Sequence, residues 1–201
     1  MKLLNIEKSE DGKYLKKYNL TYENKAGKEK VYEIVSHRNI ESVEDLGDKP
    51  TGVSIVAYRG NEFMLLREFR MAVNRYVYNL CAGMMENGES PVECAKRELY
   101  EETGLSIKEI YAVLPPSYVA VAISDISTYT VIAEVTGELS DHTSDNEDIN
   151  ACFFNRKELA GIIKTEMLGS KAQLAAYNFL VVRENCMAEN GIEEFIKNGL
   201  V

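Results

Sequence analysis

Residues 83–105, GMMENGESPVECAKRELYEETGL, set one arginine and a crowd of glutamates at defined spacing on and just before a short helix. Glu98, Glu101 and Glu102 stand at i, i+3 and i+4, so at roughly 100° per residue they share one arc of the helix surface. Carboxylates that close repel one another, and each like charge makes its neighbour harder to ionise. A strongly cationic partner relieves the cluster. Hard divalent cations such as Mg²⁺ take oxygen ligands and keep waters or substrate phosphates in their remaining positions. An acidic, solvated helix face would produce a similar run, because Glu is a good helix former and charge runs are usually surface.

The helix is well signposted. Ser90 suits the N-cap, Pro91 the first helical position, and Glu93 completes an S-x-x-E capping box. Gly104 is placed to end the helix in a left-handed turn. Val92, Ala95, Leu99 and the methyl of Thr103 make the buried face, opposite the carboxylates. Gly83 and Gly88 bracket a loop whose backbone can approach an ion closely.

Gly83, Glu89, Arg97, Glu98, Leu99, Glu101, Glu102, Gly104 and Leu105 match the Nudix box, G-x5-E-x7-R-E-U-x-E-E-x-G-U, at every specified position. The chain therefore resembles the Nudix hydrolases. The resemblance implies an α/β fold, an α/β/α sandwich around a mixed sheet. It also implies hydrolysis of a nucleoside diphosphate linked to another moiety, with Mg²⁺ as cofactor and Mn²⁺ able to substitute.

Composition agrees. The 201 residues suffice for one ordinary domain plus an appendage, and 45% hydrophobic with 27% charged residues suits a soluble globular protein. The opening MKLLNIEKSEDGKY has too short an apolar run for a signal peptide, and no later stretch is long enough to span a membrane. Cys81, Cys94, Cys152 and Cys186 form no C-x-x-C pair and read as reduced thiols of a cytoplasmic protein. A net charge of −9 argues against a nucleic-acid polymer as partner, yet not against a small nucleotide bridged by a cation.

Residues 1–48 read as a small antiparallel β-unit, with strands at 15–23 and 30–37 joined through Asn24-Lys25-Ala26-Gly27. Residues 49–201 read as the main domain. Strands are predicted at 52–58, 62–69, 76–81, 107–114, 128–135 and 149–154, and helices at 156–163, 170–185 and 192–198. Such intermixing suggests a mixed sheet packed between helices.

Within the family, the chain is most similar to the ADP-ribose pyrophosphatase branch of nucleoside diphosphate sugar hydrolases. The N-terminal β-unit resembles the domain through which those enzymes form homodimers. Phe63–Val73 (FMLLREFRMAV) resembles the strand ending in a phosphate-binding arginine, here Arg70. Asp145-Asn146-Glu147-Asp148-Ile149 resembles the acidic loop that brings a further carboxylate to the metals. The resemblance implies metal ligands at Glu98, Glu101, Glu102, Glu147 and the Ala82 carbonyl. Catalysis would fall to Glu102, Glu147 and Asp145, and the base could be either Asp145, one methylene short, or Glu147. Gly83, Glu89, Arg97 and Gly104 take structural roles, with Glu89 the partner expected for Arg97.

Two departures bear on the substrate. The Ser-Pro-Gly-like turn of ADP-ribose hydrolases is replaced within YVAVAISDI (118–126), where Val121 and Ala122 hold the proline and glycine positions and Ser124-Asp125 persists. Asn79 stands where the family commonly has a glutamate. A nucleotide-sugar sensor without turnover is the alternative function. Tyr32, Tyr76 and Tyr118 are candidates for stacking on a base, though each suits a core or interface equally. His142 lies in the polar loop, and His37 closes the N-terminal hairpin.

Overall fold

The computed structural model describes residues 1–140 and 147–186, so the expected helix at 192–198, together with Asp145 and His142, lies outside the described residues. The chain forms two compact units. One combines Met1–Thr51 with Pro115–Tyr129; the other takes Gly52–Leu114 and the chain from Thr130 onward.

The first unit is built on a three-stranded antiparallel sheet in the order β1 (Lys2–Asp11), β2 (Lys16–Glu23), β3 (Glu29–Ser36). Strand β1 is absent from the sequence expectation for a physical reason. Its apolar side chains are sparse, and only Leu3 and Ile6 pack on the small core of Tyr18, Leu20, Ile34 and Ile40. Its pairing to β2 is mostly a backbone ladder, which leaves little periodicity to read. The β2–β3 turn is held by Asn24 Oδ1, which accepts from the amides of Ala26 and Lys28 at 2.8 and 3.1 Å.

The segment 115–129, which the sequence places in the main domain, is part of this first unit. The Ile123 carbonyl accepts from Val35 N at 2.9 Å, and Ser127 O accepts from Thr51 N at 2.8 Å. Despite lacking the proline and glycine, 118–126 still turns. The amides of Ile123 and Ser124 both donate to Ala120 O at 2.9 Å, with Val121 and Ile123 exposed at the tip. Asp125 is buried, accepts from Gly47 N at 3.3 Å and forms an ion pair with Arg38. The Ser-Asp pair thus serves here as a fastening.

The second unit contains β4 (Gly52–Arg59), β5 (Glu62–Arg70), β6 (Arg75–Asn79), β7 (Cys81–Met84), β8 (Ser106–Tyr118), β9 (Ser127–Thr136) and β10 (Ile149–Phe154), with β8 and β9 continuing into the first unit. They form a seven-stranded mixed sheet in the order β10-β5-β4-β9-β8, with β6 added to β5 and β7 to β4. The single strand expected at 76–81 is in fact two. The chain leaves β5 after Asn79 and joins β4 at Cys81, with buried Leu80 at the change of partner.

Helices α1 (Pro91–Thr103), α2 (Arg156–Thr165) and α3 (Ser170–Cys186) cover the sheet. Val56, Phe63 and Leu65 pack with Leu159 of α2 and Ala172, Ala176 and Phe179 of α3. The alternate residues Ile55, Ala57, Met64 and Leu66 are buried on the other face, and α1 packs on β4 and β7 through Cys94, Ala95, Leu99 and Thr103. Strands buried on both faces read as continuous apolar runs, as VSIVAY and FMLL do. Phe63 is wholly buried between Tyr58 and Phe179, at ring separations of 5.6 and 5.3 Å. Phe63→Ala is expected to cost about 3–5 kcal/mol, read as a lower urea midpoint at unchanged slope; a shift within error would place the core elsewhere.

Candidate active site

Helix α1 begins and ends as its sequence dictates. Ser90 Oγ accepts from Glu93 N at 3.3 Å, while the Glu93 carboxylate accepts from Ser90 N at 2.9 Å. Gly104 closes the helix at φ 73°, where its amide donates to Tyr100 O at 2.8 Å. Gly83 on β7 leaves room for the Glu98 side chain. A Cβ there would lie about 2 Å from the Glu98 carboxylate, so the missing side chain lets Glu98 rest against the strand.

Arg97 organises the loop that joins β7 to α1. Its Nε and Nη2 donate to the two oxygens of Glu89, both at 2.9 Å, and Nη2 also donates to the Met84 carbonyl at 2.9 Å. Nη1 reaches Glu98 Oε1 at 2.8 Å and Glu101 Oε2 at 3.2 Å. This fork-to-carboxylate geometry is specific to arginine. The guanidinium holds the Glu89 carboxyl down at about 2, helped by the Glu86 amide.

Glu98, Glu101 and Glu102 therefore differ. Glu101 is mostly exposed and turned to Arg97. Glu98 is nearly enclosed, and burial raises its pKa against the opposing pull of Arg97. Glu102 is half-buried and has no cationic partner among the described residues; it accepts from Ala82 N at 3.3 Å. Burial pushes it up to about 7, opposed by hydrogen bonds from Cys81 and Ala82 and reinforced by the charges of Glu98 and Glu68. The shared helical arc read from the spacing is thus divided by Arg97.

Among the described residues, no three His, Cys, Asp or Glu side chains are already gathered as a metal cage. The donor chemistry nonetheless fits a hard divalent cation: carboxylate oxygens crowd one another, and the charge of Glu102 is uncompensated. Ala82 lies beside Glu102 on β7. Glu147 is exposed, next to Asp148, whose carbonyl accepts from Phe69 N at 3.0 Å. A cavity of about 230 Å³ opens beside Glu102, lined also by Thr103, Ser140, Ile149 and Asn150.

Arg70 ends β5 with its side chain largely exposed, and its Nε pairs with Glu68 Oε1 at 3.3 Å. Glu68 is the residue that sequence reasoning missed: it is 8% exposed, a buried carboxylate on a strand. The signal was a carboxylate between Arg67 and Phe69, two places before Arg70 and just after the apolar stretch Phe63–Leu66. Asn79 donates through Nδ2 to the same Glu68 oxygen at 2.9 Å. Of the tyrosines, Tyr32 and Tyr118 line a separate cavity of about 210 Å³ in the first unit. Tyr76 instead donates to the Asp148 carboxylate, with the Arg67 guanidinium 3.7 Å from its ring centre. Cys81 and Cys94 are buried thiols whose pKa burial raises, to about 12 for Cys94.

The Nudix box thus runs from β7 through the loop that Arg97 ties down and along the capped helix α1. The chain belongs to the Nudix family: the NUDIX domain sequence model matches residues 48–176. It is 28% identical over 133 residues to the ADP-sugar pyrophosphatase of Mus musculus, covering 64% of this chain and 58% of that one. It is 27% identical over 108 residues to the ADP-ribose pyrophosphatase of Bacillus subtilis, covering 53% and 58%. The matched stretch thus spans under two thirds of each relative. A crystal structure of an ADP compounds hydrolase shares the fold, with a TM-score of 0.69 and 21% identity over 94% of this chain and 95% of that one.

The Glu89–Arg97 lock has a pH signature. A carboxyl held at about 2 in the fold against an ordinary value of 4.5 contributes stability that is complete above pH 4.5 and lost as pH falls toward 2. Glu89→Gln is expected to flatten the rise of unfolding free energy across that window, measured by urea titration at several pH values. An unchanged slope would show the pair to be stabilising nothing.

Proposed function

We propose that the protein hydrolyses the pyrophosphate bond of a nucleoside diphosphate linked to another moiety, with ADP-ribose or a related nucleotide sugar the leading substrate. The products are a nucleoside monophosphate and a sugar phosphate. The observation that carries this reading is the uncompensated, half-buried Glu102 on a complete Nudix helix, beside a cavity. Similarity to ADP-sugar and ADP-ribose pyrophosphatases supports the substrate class.

In this proposal Glu98 and Glu102 hold Mg²⁺, for which Mn²⁺ can substitute, with Glu101, Glu147 and the Ala82 carbonyl as further oxygen donors. The cation, when bound, lowers the pKa of water and neutralises phosphate charge. Arg70 offers its guanidinium to a phosphate oxygen. Glu147 or Asp145 takes the proton from the attacking water, Asp145 lying outside the described residues. Arg97, Glu89, Gly83 and Gly104 keep the helix and loop in place.

The test is phosphorus NMR of products from a nucleoside diphosphate sugar panel led by ADP-ribose, with and without Mg²⁺. Conversion to AMP and ribose 5-phosphate that requires the metal is expected, and Glu102→Gln should lower it about 10²-fold or more. That variant should remain folded, because a neutral amide replaces a carboxylate whose ionisation burial already opposes. Binding without turnover of any panel member would favour the nucleotide-sugar sensor instead.

We also propose a cytoplasmic homodimer that pairs through the N-terminal unit, where Leu4, Val31 and Tyr32 are exposed on the three-stranded sheet. Light scattering is expected to give twice the 22.7 kDa chain mass; a monomer throughout the working concentration range rejects it.

A further inference from the structure

We infer that Glu68 is a positioning residue for Arg70, and that Asn79 holds Glu68 in the orientation this requires. The inference rests on the proposed contact between Arg70 and substrate phosphate. Glu68 and Arg70 stand two apart on β5, so their side chains leave the same face of the strand. In the antiparallel β5–β6 ladder Leu66 opposes Asn79 and Glu68 opposes Val77, which makes Asn79 the diagonal neighbour of Glu68.

One oxygen serves both partners. Glu68 Oε1 accepts from Asn79 Nδ2 at 2.9 Å and lies 3.3 Å from Arg70 Nε. The amide cannot turn over freely, because Asn79 Oδ1 accepts from Leu80 N at 3.1 Å and so directs Nδ2 at the carboxylate. The Leu80 amide is itself placed where the chain passes from β6 to β7. The change of strand partner, the amide, the carboxylate and the guanidinium therefore form one chain of contacts.

The environment argues that this carboxylate does more than fill space. Glu68 is 8% exposed, and the residues opposite it on the flanking strands, Val77 and Ile149, are apolar although Arg67 precedes it on β5; its charge adds to the burden on Glu102. A buried charge in such a place is costly, and an apolar side chain would pack there without that cost. What the charge does is form an ion pair with Arg70, whose Nε lies 3.3 Å from its oxygen. That engagement leaves the Nη1/Nη2 edge of an otherwise exposed side chain to meet two phosphate oxygens. Arg70 without it would have to lose its side-chain freedom on binding, which weakens affinity for the substrate.

The test is a double-variant cycle on the full chain, with ADP-ribose and saturating Mg²⁺. Arg70→Ala is expected to raise KM about tenfold, Glu68→Gln about fivefold, and the combined variant no more than Arg70→Ala alone. Asn79→Ala, which leaves Glu68 in place but unheld, should move KM in the same direction and carries the test should Glu68→Gln fail to fold. Additive effects, an unchanged KM, or a lower kcat at constant KM would overturn the inference; the last would couple Glu68 to Glu102 rather than Arg70. If the wild type binds ADP-ribose without turnover, the proposed reaction fails. The same cycle then applies to Kd by calorimetry, with the same non-additivity expected and its absence overturning the inference. A wild type that neither binds nor turns over the compound rejects both.

Discussion

The contact on which the site depends is the clasp of Arg97 around Glu89. It spans eight residues of sequence and joins the loop before α1 to the helix itself, while a second nitrogen reaches the Met84 carbonyl at the end of β7. Strand, loop and helix are thus fixed by one planar group with hydrogen bonds in several directions, which an ammonium on a flexible stem could not reproduce. Burial of the guanidinium is tolerable because carboxylates surround it. The same arrangement also differentiates the glutamates. Glu89 is pinned as an anion and Glu101 is drawn outward. Glu98 is held by one oxygen, and Glu102 lines the cavity with no cationic partner among the described residues.

Two arginines divide the work. Arg97 is spent on structure, enclosed by acceptors from the loop and helix. Arg70 keeps one anchor and most of its surface. Their elements explain the difference. Arg97 lies within α1 on the side that meets the loop, whereas Arg70 ends β5, where the chain enters a short turn at Met71–Val73 and reverses through a left-handed Asn74. Strand ends beside such turns put side chains into solvent without releasing the backbone, which suits the phosphate contact proposed for Arg70.

Much of this was legible in the chain because it was locally encoded. The capping box of Ser90 and Glu93, the terminal Gly104 and the i, i+3, i+4 glutamates all act within a few residues, and the β4–β5 apolar runs announce a buried sheet. What escaped notice depended on distant partners. Strand β1 is defined by its ladder to β2 more than by its own pattern. The break at Leu80 follows from which strand each half pairs with, and the membership of 115–129 in the first unit follows from amides such as Val35. Glu68 looked like an ordinary charged strand residue until Asn79 and Arg70 were seen to share its oxygen. Helical spacing alone likewise treated Glu98, Glu101 and Glu102 as equivalent, because a projection along the helix carries no information about where Arg97 points.

The balance of charge then gives the site its direction. Burial and the charges of Glu98 and Glu68 raise the cost of ionising Glu102, while Arg97 is engaged by Glu89 and Glu98, and Arg70 is paired with Glu68. In a protein with a net charge of −9, no general positive field is available to offset this locally. A pyrophosphate alone would add negative charge to a negative cleft. Only a ligand that arrives with positive charge of its own, or after a cation has settled among the carboxylates, lowers the energy of all these groups together. The acidity of the helix and the anionic character of the proposed substrate are therefore compatible on one condition, that cation binding and substrate binding favour each other.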